Sequence, residues 1–167
     1  MKDGVEYARP ATSNDLKSLV ASLNANDVDY LLIGGYALYA HGYQRATTDI
    51  DILVQPTIAT GRKVKQALLI LPDKAAKDID PAWFEEGENI RVADDIIVDV
   101  MFNACGETFD TLKRYAQLID FDGIPVTTIS LDGLLLTKQT VREKDISDRM
   151  ILERAISEII RIKDVDS

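Results

Sequence analysis

The sequence predicts a mixed α/β (α+β) fold, a mixed central sheet with helices packed around it, and three observations carry that prediction. Short apolar runs of strand length alternate with longer stretches in which apolar residues recur at helical spacing, in the order α-β-α-β-α-β-β-α-β-α-α. The strand-like run Tyr30 to Ile33 breaks abruptly at Gly34-Gly35. A second apolar run then carries Asp49 and Asp51 among Ile50, Ile52, Leu53 and Val54, where solvated carboxylates are out of place.

The elements follow in order. Thr12-Ser13-Asn14-Asp15 reads as an N-cap cluster, and Leu16, Leu19, Val20 and Leu23 form the apolar stripe of the helix behind it, which ends over residues 24–27. Tyr36 to Ala40 is a short helix with Gly42 as its C′ residue. Ile50 to Val54 is a strand stopped by Pro56, and residues 58–71 form a helix that Gly61 weakens. Residues 72–87 have no clear period; Asp80-Pro81 marks a turn, and Trp83-Phe84 are expected to pack onto the core. Asn89 to Val92 and Asp95 to Phe102 pair as a hairpin across Ala93-Asp94, with Asp94 and Asp95 as solvated turn residues. A helix over 109–118, a strand over 124–129, a helix capped by Ser130 and an amphipathic helix over 145–162 complete the chain, the last two packing together as a lid or buttress.

At 167 residues, with 46% hydrophobic and 28% charged content, the chain is expected to be one domain over 1–167, with a core of about 28–130 and a helical part of about 130–163. No apolar run reaches the roughly 18 residues that span a bilayer, and no apolar signal segment follows Met1, so neither a membrane protein nor a secreted one is expected. Cys105 is the single cysteine, which excludes an internal disulfide, points to a cytoplasmic protein and reads as a small semi-buried thiol. The net charge of −9 argues against stable DNA binding and leaves a nucleotide and a second substrate as the expected partners.

The chemistry is concentrated in a few side chains. Strand period two puts Asp49 and Asp51 on one face, where they repel each other and lose hydration; a divalent cation between them offsets both costs. Gly34-Gly35 can present backbone N–H groups to a phosphate, or can simply be a tight strand-to-helix turn. Asp99, embedded in Ile96, Ile97, Val98 and Val100, is the third candidate; it either joins a metal site or accepts backbone hydrogen bonds. Three aspartates can hold two Mg²⁺ (or Mn²⁺) roughly 3.5–4 Å apart, clamp a triphosphate and activate an attacking hydroxyl. Arg45 is either a bidentate phosphate ligand or an exposed loop arginine, and Thr48 either touches the nucleotide or caps the strand. His41, the lone histidine, reads as a helix-end residue favoured by the dipole.

Gly34-Gly35, thirteen residues, then Asp49-Ile-Asp51, with Asp99 on a later strand, resembles the signature of the DNA polymerase β-type nucleotidyltransferase superfamily. The fuller run, with Ala37, Gly42, Arg45, Thr48 and Asp49-Ile-Asp51, is similar to small bacterial members, among them the AbiEii-type abortive-infection toxins. LLLTKQTVREKDISDRMIL also resembles their C-terminal motif. The resemblance implies the minimal nucleotidyltransferase fold and an NTP, ATP included, as donor. It implies Asp49, Asp51 and Asp99 as catalytic metal ligands, with Gly34, Gly35, Arg45, Thr48 and Lys138 at the nucleotide and Asp145 and Asp148 in support. On the residues alone, Asp145 and Asp148 with Arg142, Lys144 and Arg149 also fit a surface ion-pair network. The resemblance covers roughly residues 30–54, 95–102 and 131–152. It ranks first a toxin-like enzyme that modifies a tRNA or a protein and is held in check by an antitoxin. An aminoglycoside-like small-molecule nucleotidyltransferase and a non-catalytic nucleotide-binding module are the alternatives. A glycosyltransferase is disfavoured because its Asp-x-Asp has no upstream Gly-Gly.

Overall fold

The computed structural model describes residues 8–43, 48–139 and 142–166. Its order is α1 (Ser13–Ala25), β1 (Tyr30–Ile33), α2 (Gly35–Ala40), β2 (Ile50–Val54), α3 (Ile58–Leu68), α4 (Trp83–Glu86), β3 (Ile90–Ala93) and β4 (Ile97–Met101). There follow β5 (Asn103–Ala104), β6 (Glu107–Thr108), α5 (Phe109–Leu112), β7 (Ala116–Phe121), β8 (Ile124–Ile129), α6 (Leu131–Leu136) and α7 (Glu143–Asp166). Six strands make one mixed sheet in the order β3-β4-β2-β1-β8-β7, and β5 and β6 form a small separate hairpin.

The first helix starts as its sequence dictates. Thr12 and Asp15 form a capping box, the Asp15 amide donating to Thr12 Oγ1 and the Thr12 amide to Asp15 Oδ2 at 2.7 Å. Its stripe of Leu16, Leu19, Val20 and Leu23 is buried against α3 and β8. The central strands carry apolar residues on both faces. Ile50, Ile52, Val54, Val98 and Val100 are fully buried, and so is Leu53, on the same face of β2 as Asp51. One continuous buried cluster runs from Ala11 through the sheet to Leu152 and Ala155 of α7, which packs on α6.

Four expectations are corrected. The helix over 109–118 stops at Leu112; after a 3-10 turn over Lys113–Tyr115 the chain becomes β7, paired with β8. The reason is Asp122-Gly123, with φ of 52° and 90°, a two-residue hairpin turn that draws residues 116–121 into the sheet. Asp94 is buried, not solvated: its carboxylate accepts the amides of Asp73 and Ala75 at 2.9 Å and of Asp95 at 2.7 Å, pinning the 73–75 loop. Asp95 lies before β4 and binds Arg9, which also binds Asp15. Trp83 and Phe84 part company, Phe84 fully buried and Trp83 41% exposed. Cys105 is exposed rather than semi-buried, its backbone at φ 54° and its thiol 3.0 Å from the Gln139 carbonyl. Gly61, which weakens α3 by propensity, is a packing notch: a Cβ there would lie 2.8 Å from the Pro81 carbonyl oxygen and 3.0 Å from the Phe84 ring.

Candidate active site

Strand register builds the site. β2 and β4 are parallel with Asp51 opposite Asp99, β3 and β4 are antiparallel with Arg91 opposite Asp99, and Ile33 stands opposite Asp51 on β1. The row Ile33, Asp51, Asp99, Arg91 therefore crosses four adjacent strands, with Asp49 two residues ahead of Asp51. Side chains of neighbouring strands in register are about 5 Å apart, so the carboxylates are forced together.

Their proximity has an electrostatic cost. Burial pushes the Asp51 carboxyl up to about 7, and the charges of Asp99 and then Asp49 push the same way, while Lys138 opposes them. A hydrogen bond between Asp51 and Asp99 belongs to the same arrangement. Gly34 makes room for it. Its φ is 75°, and a Cβ on it would sit 2.3 Å from Asp51 Oδ2, so the carboxylate lies directly against the glycine backbone. Thr48 Oγ1 donates to Asp49 Oδ1 at 3.0 Å, fixing the first carboxylate of the pair.

Arg91, which the sequence reading passes over, closes the row. Its Nε lies 2.9 Å from Asp99 Oδ1, and its Nη2 lies 3.2 Å from Asp99 Oδ2 and 3.4 Å from Asp49 Oδ2. A signal for it was present. A lone arginine between Ile90 and Val92, in a strand expected to pair with the strand of Asp99, invites a cross-strand ion pair.

A second group of charges comes from the C-terminal helices. Lys138 follows α6 and is buried, with Nζ 3.1 Å from Asp148 Oδ2 and 3.6 Å from Asp145 Oδ1 of α7. Arg142 Nε binds Asp145 Oδ2 at 3.0 Å, and Arg149 donates to the Lys138 carbonyl. Asp145 and Asp148 are each 1% exposed, so they are not a surface ion-pair network. They are the buried counter-charges that hold Lys138 in place.

These residues face one opening. A cavity of ≈ 430 Å³ is lined by Gly35, Thr48, Asp49, Asp51, Arg91 and Lys138 among others. An adjoining lobe of ≈ 250 Å³ shares Asp51 and Lys138 and adds Gly34, Asn103 and Cys105. Of the residues picked from sequence, Gly34, Gly35, Thr48, Asp49, Asp51, Asp99 and Lys138 thus converge, with Asp145 and Asp148 behind Lys138; Arg45 lies outside the described residues. His41 caps the end of α2, its Nε2 2.8 Å from the Ile129 carbonyl oxygen.

Oxygen-only carboxylate donors have the chemistry of a Mg²⁺ or Mn²⁺ site, and a carboxyl pushed toward neutrality by burial and by two neighbouring carboxylates is one that a cation would relieve. Yet among the described residues no group of three or more His, Cys, Asp or Glu side chains is arranged to hold a metal ion. The guanidinium of Arg91 stands between Asp49 and Asp99, and Asp51 is hydrogen-bonded to Asp99. Nor is any helix, among the described residues, long and apolar enough to cross a membrane.

No protein-family model and no curated protein matches the chain. Among solved structures it is similar to a Thermotoga maritima protein provisionally assigned as a nucleotidyltransferase, at 15% identity and a TM-score of 0.53, over 98% of each chain. At that identity the likeness is one of fold and does not extend to the AbiEii type in particular. The chain shares the fold of that protein: a mixed α/β fold with a central sheet, flanking helices and two closing helices.

Proposed function

We propose that the protein is a metal-dependent nucleotidyltransferase that transfers a nucleoside monophosphate from an NTP to an acceptor and releases pyrophosphate. The observation that carries this reading is the register of β2 on β4, which sets Asp51 beside Asp99 with Asp49 at hand, beneath a polar cavity floored by Gly34-Gly35. Asp49, Asp51 and Asp99 are the residues that would hold Mg²⁺ or Mn²⁺, which when bound supplies charge neutralisation and polarises the reacting phosphate.

The chain's own groups have separable tasks in this reading. The Gly34-Gly35 backbone, Thr48, Arg45 and Lys138 orient the triphosphate. Lys138 can do so because Asp145 and Asp148 fix its ammonium, a preorganised charge that needs no rearrangement during reaction. An acceptor oxygen attacks the α-phosphorus, the bond to the bridging oxygen of the β-phosphate breaks, and pyrophosphate departs with the electron pair. Asp99 would take the acceptor's proton in this reading.

The acceptor ranked first is a tRNA or a protein, in a toxin-like role opposed by an antitoxin; that ranking rests on the sequence resemblance. A cationic small molecule of the aminoglycoside kind is the alternative that the −9 charge and the carboxylate-rich cavity favour. Transfer of label from each α-³²P-labelled NTP in Mg²⁺ to tRNA, to the protein itself and to aminoglycosides tests the reading. Transfer to one acceptor class, abolished in a folded Asp51→Asn variant, is expected. Transfer that persists in Asp51→Asn overturns the mechanism, and NTP binding without transfer to any acceptor leaves the non-catalytic module in its place.

A further inference from the structure

Arg91 stands out because it does two incompatible things. It completes the ion pairing of the carboxylate row, and it lies in the place a cation between Asp49 and Asp99 would take. Its Nη2 reaches both Asp99 Oδ2 at 3.2 Å and Asp49 Oδ2 at 3.4 Å, while Nε adds a 2.9 Å bond to Asp99 Oδ1. The fork is thus spread across two of the three carboxylates. The guanidinium thus stands between two of the aspartates.

Arg91 also differs from Lys138, another cation that lines the cavity. Lys138 has a side chain 9% exposed and locked between two buried carboxylates, so moving it would take an ion pair from each. The Arg91 side chain is 61% exposed and borders the ≈ 430 Å³ cavity. An exposed guanidinium is held weakly and can exchange partners at small cost. It is also the side chain best matched to a phosphate once its carboxylates are neutralised by another cation.

We infer that Arg91 is a resident counter-cation of the carboxylate site, which yields Asp49 and Asp99 to a divalent metal ion and then pairs with the phosphates of the incoming triphosphate. The inference rests on the proposed metal-dependent reading and deepens it. Arg91 excludes metal from the empty protein and rewards its arrival together with nucleotide, so that ion and triphosphate bind cooperatively.

The test uses the full chain and Mn²⁺ alone, followed by the free-ion signal in electron paramagnetic resonance. Arg91→Met removes the competitor and is expected to bind Mn²⁺ about tenfold more tightly than the wild type, with Arg91→Lys between the two. Equal or weaker Mn²⁺ binding by Arg91→Met overturns the inference. With Mn²⁺ saturating, inorganic tripolyphosphate is the second probe: Arg91→Met is expected to bind it several-fold less tightly, and undiminished affinity overturns the transfer of the guanidinium to phosphate. A folded Asp51→Asn/Asp99→Asn variant separates the two failures. If it binds Mn²⁺ as well as the wild type does, the metal site itself is elsewhere and the underlying reading falls. If it loses Mn²⁺ while Arg91→Met gains nothing, only the role of Arg91 falls.

Discussion

Replacing Asp51 by Asn tests the electrostatics of the site without reference to catalysis. The carboxyl is raised from an ordinary 3.8 to about 7, first by burial and then by Asp99 and Asp49. Between those values the folded protein holds a proton that the unfolded chain has released. Protons therefore stabilise the fold in this window, and stability falls as pH rises from about 4 to about 7, then levels off. Each pH unit is worth roughly 1.4 kcal/mol for one proton. Across the window that amounts to about 2–4 kcal/mol, the lower figure allowing for solvent at the open mouth. Asn keeps the shape of the protonated acid and cannot ionise, so the variant lacks this slope. Urea unfolding in EDTA, at pH values from 4.5 to 8.5, reads the difference directly. Asp51→Asn should be close to the wild type near pH 4.5 and more stable by about 2 kcal/mol or more at pH 8. A variant less stable than the wild type at pH 8, or one whose difference does not change with pH, would refute the argument. In that case the carboxylates are not repelling one another in the folded protein.

Gly34→Ala is expected to cost about 1–3 kcal/mol, since the new Cβ meets Asp51 Oδ2 at 2.3 Å and φ is 75°; in an Asp51→Ala background the cost should shrink toward the backbone strain alone, which denaturant unfolding of the double-mutant cycle measures. Lys138→Met leaves Asp145 and Asp148 buried without their shared cation and should destabilise by about 3–5 kcal/mol, visible as a large drop in Tm, with weaker nucleotide binding in whatever folded protein remains. Asp94→Ala strips acceptors from the amides of Asp73 and Ala75 and should cost about 1–3 kcal/mol in urea unfolding, with faster amide exchange confined at first to residues 73–75.

What the sequence disclosed and what it withheld divide along one physical line. Features written in adjacent residues were legible: the capping box of Thr12 and Asp15, the α1 stripe, and the strand bearing Asp49 and Asp51. The pairing of Asp51 with Asp99 was also within reach, because both are carboxylates stranded in apolar runs. What stays hidden concerns residues whose role depends on a partner distant in sequence. Ala116-Gln117-Leu118 has no strong strand preference of its own and becomes β7 because the Asp122-Gly123 turn folds it onto β8. Asp94 looks like any turn acid until the 73–75 loop arrives over it with its amides. Asp145 and Asp148, three residues apart beside several basic residues, fit an exposed helix face equally well. Only the approach of Lys138 from the end of α6 makes them interior.

Register also explains why the cluster of like charges is tolerated at all. Three aspartates brought together would be an unsupported cost in a fold stabilised by only about 5–15 kcal/mol. In this chain two different devices offset it. Asp51, the most enclosed, is pushed toward neutrality and hydrogen-bonded to Asp99, whereas Asp49 and Asp99 share an external arginine. Either device serves a purely structural site, but a structural site has no use for the open cavity above the carboxylates or for a second cation locked at its edge. Apolar residues in place of Asp49 and Asp99 would have been the cheaper way to remove the repulsion. Instead they border the open cavity beside a side chain that is 61% exposed. That combination, a destabilised carboxylate row covered by an exposed cation and faced by a buried one, is what the proposed joint binding of a metal and a polyanion would require.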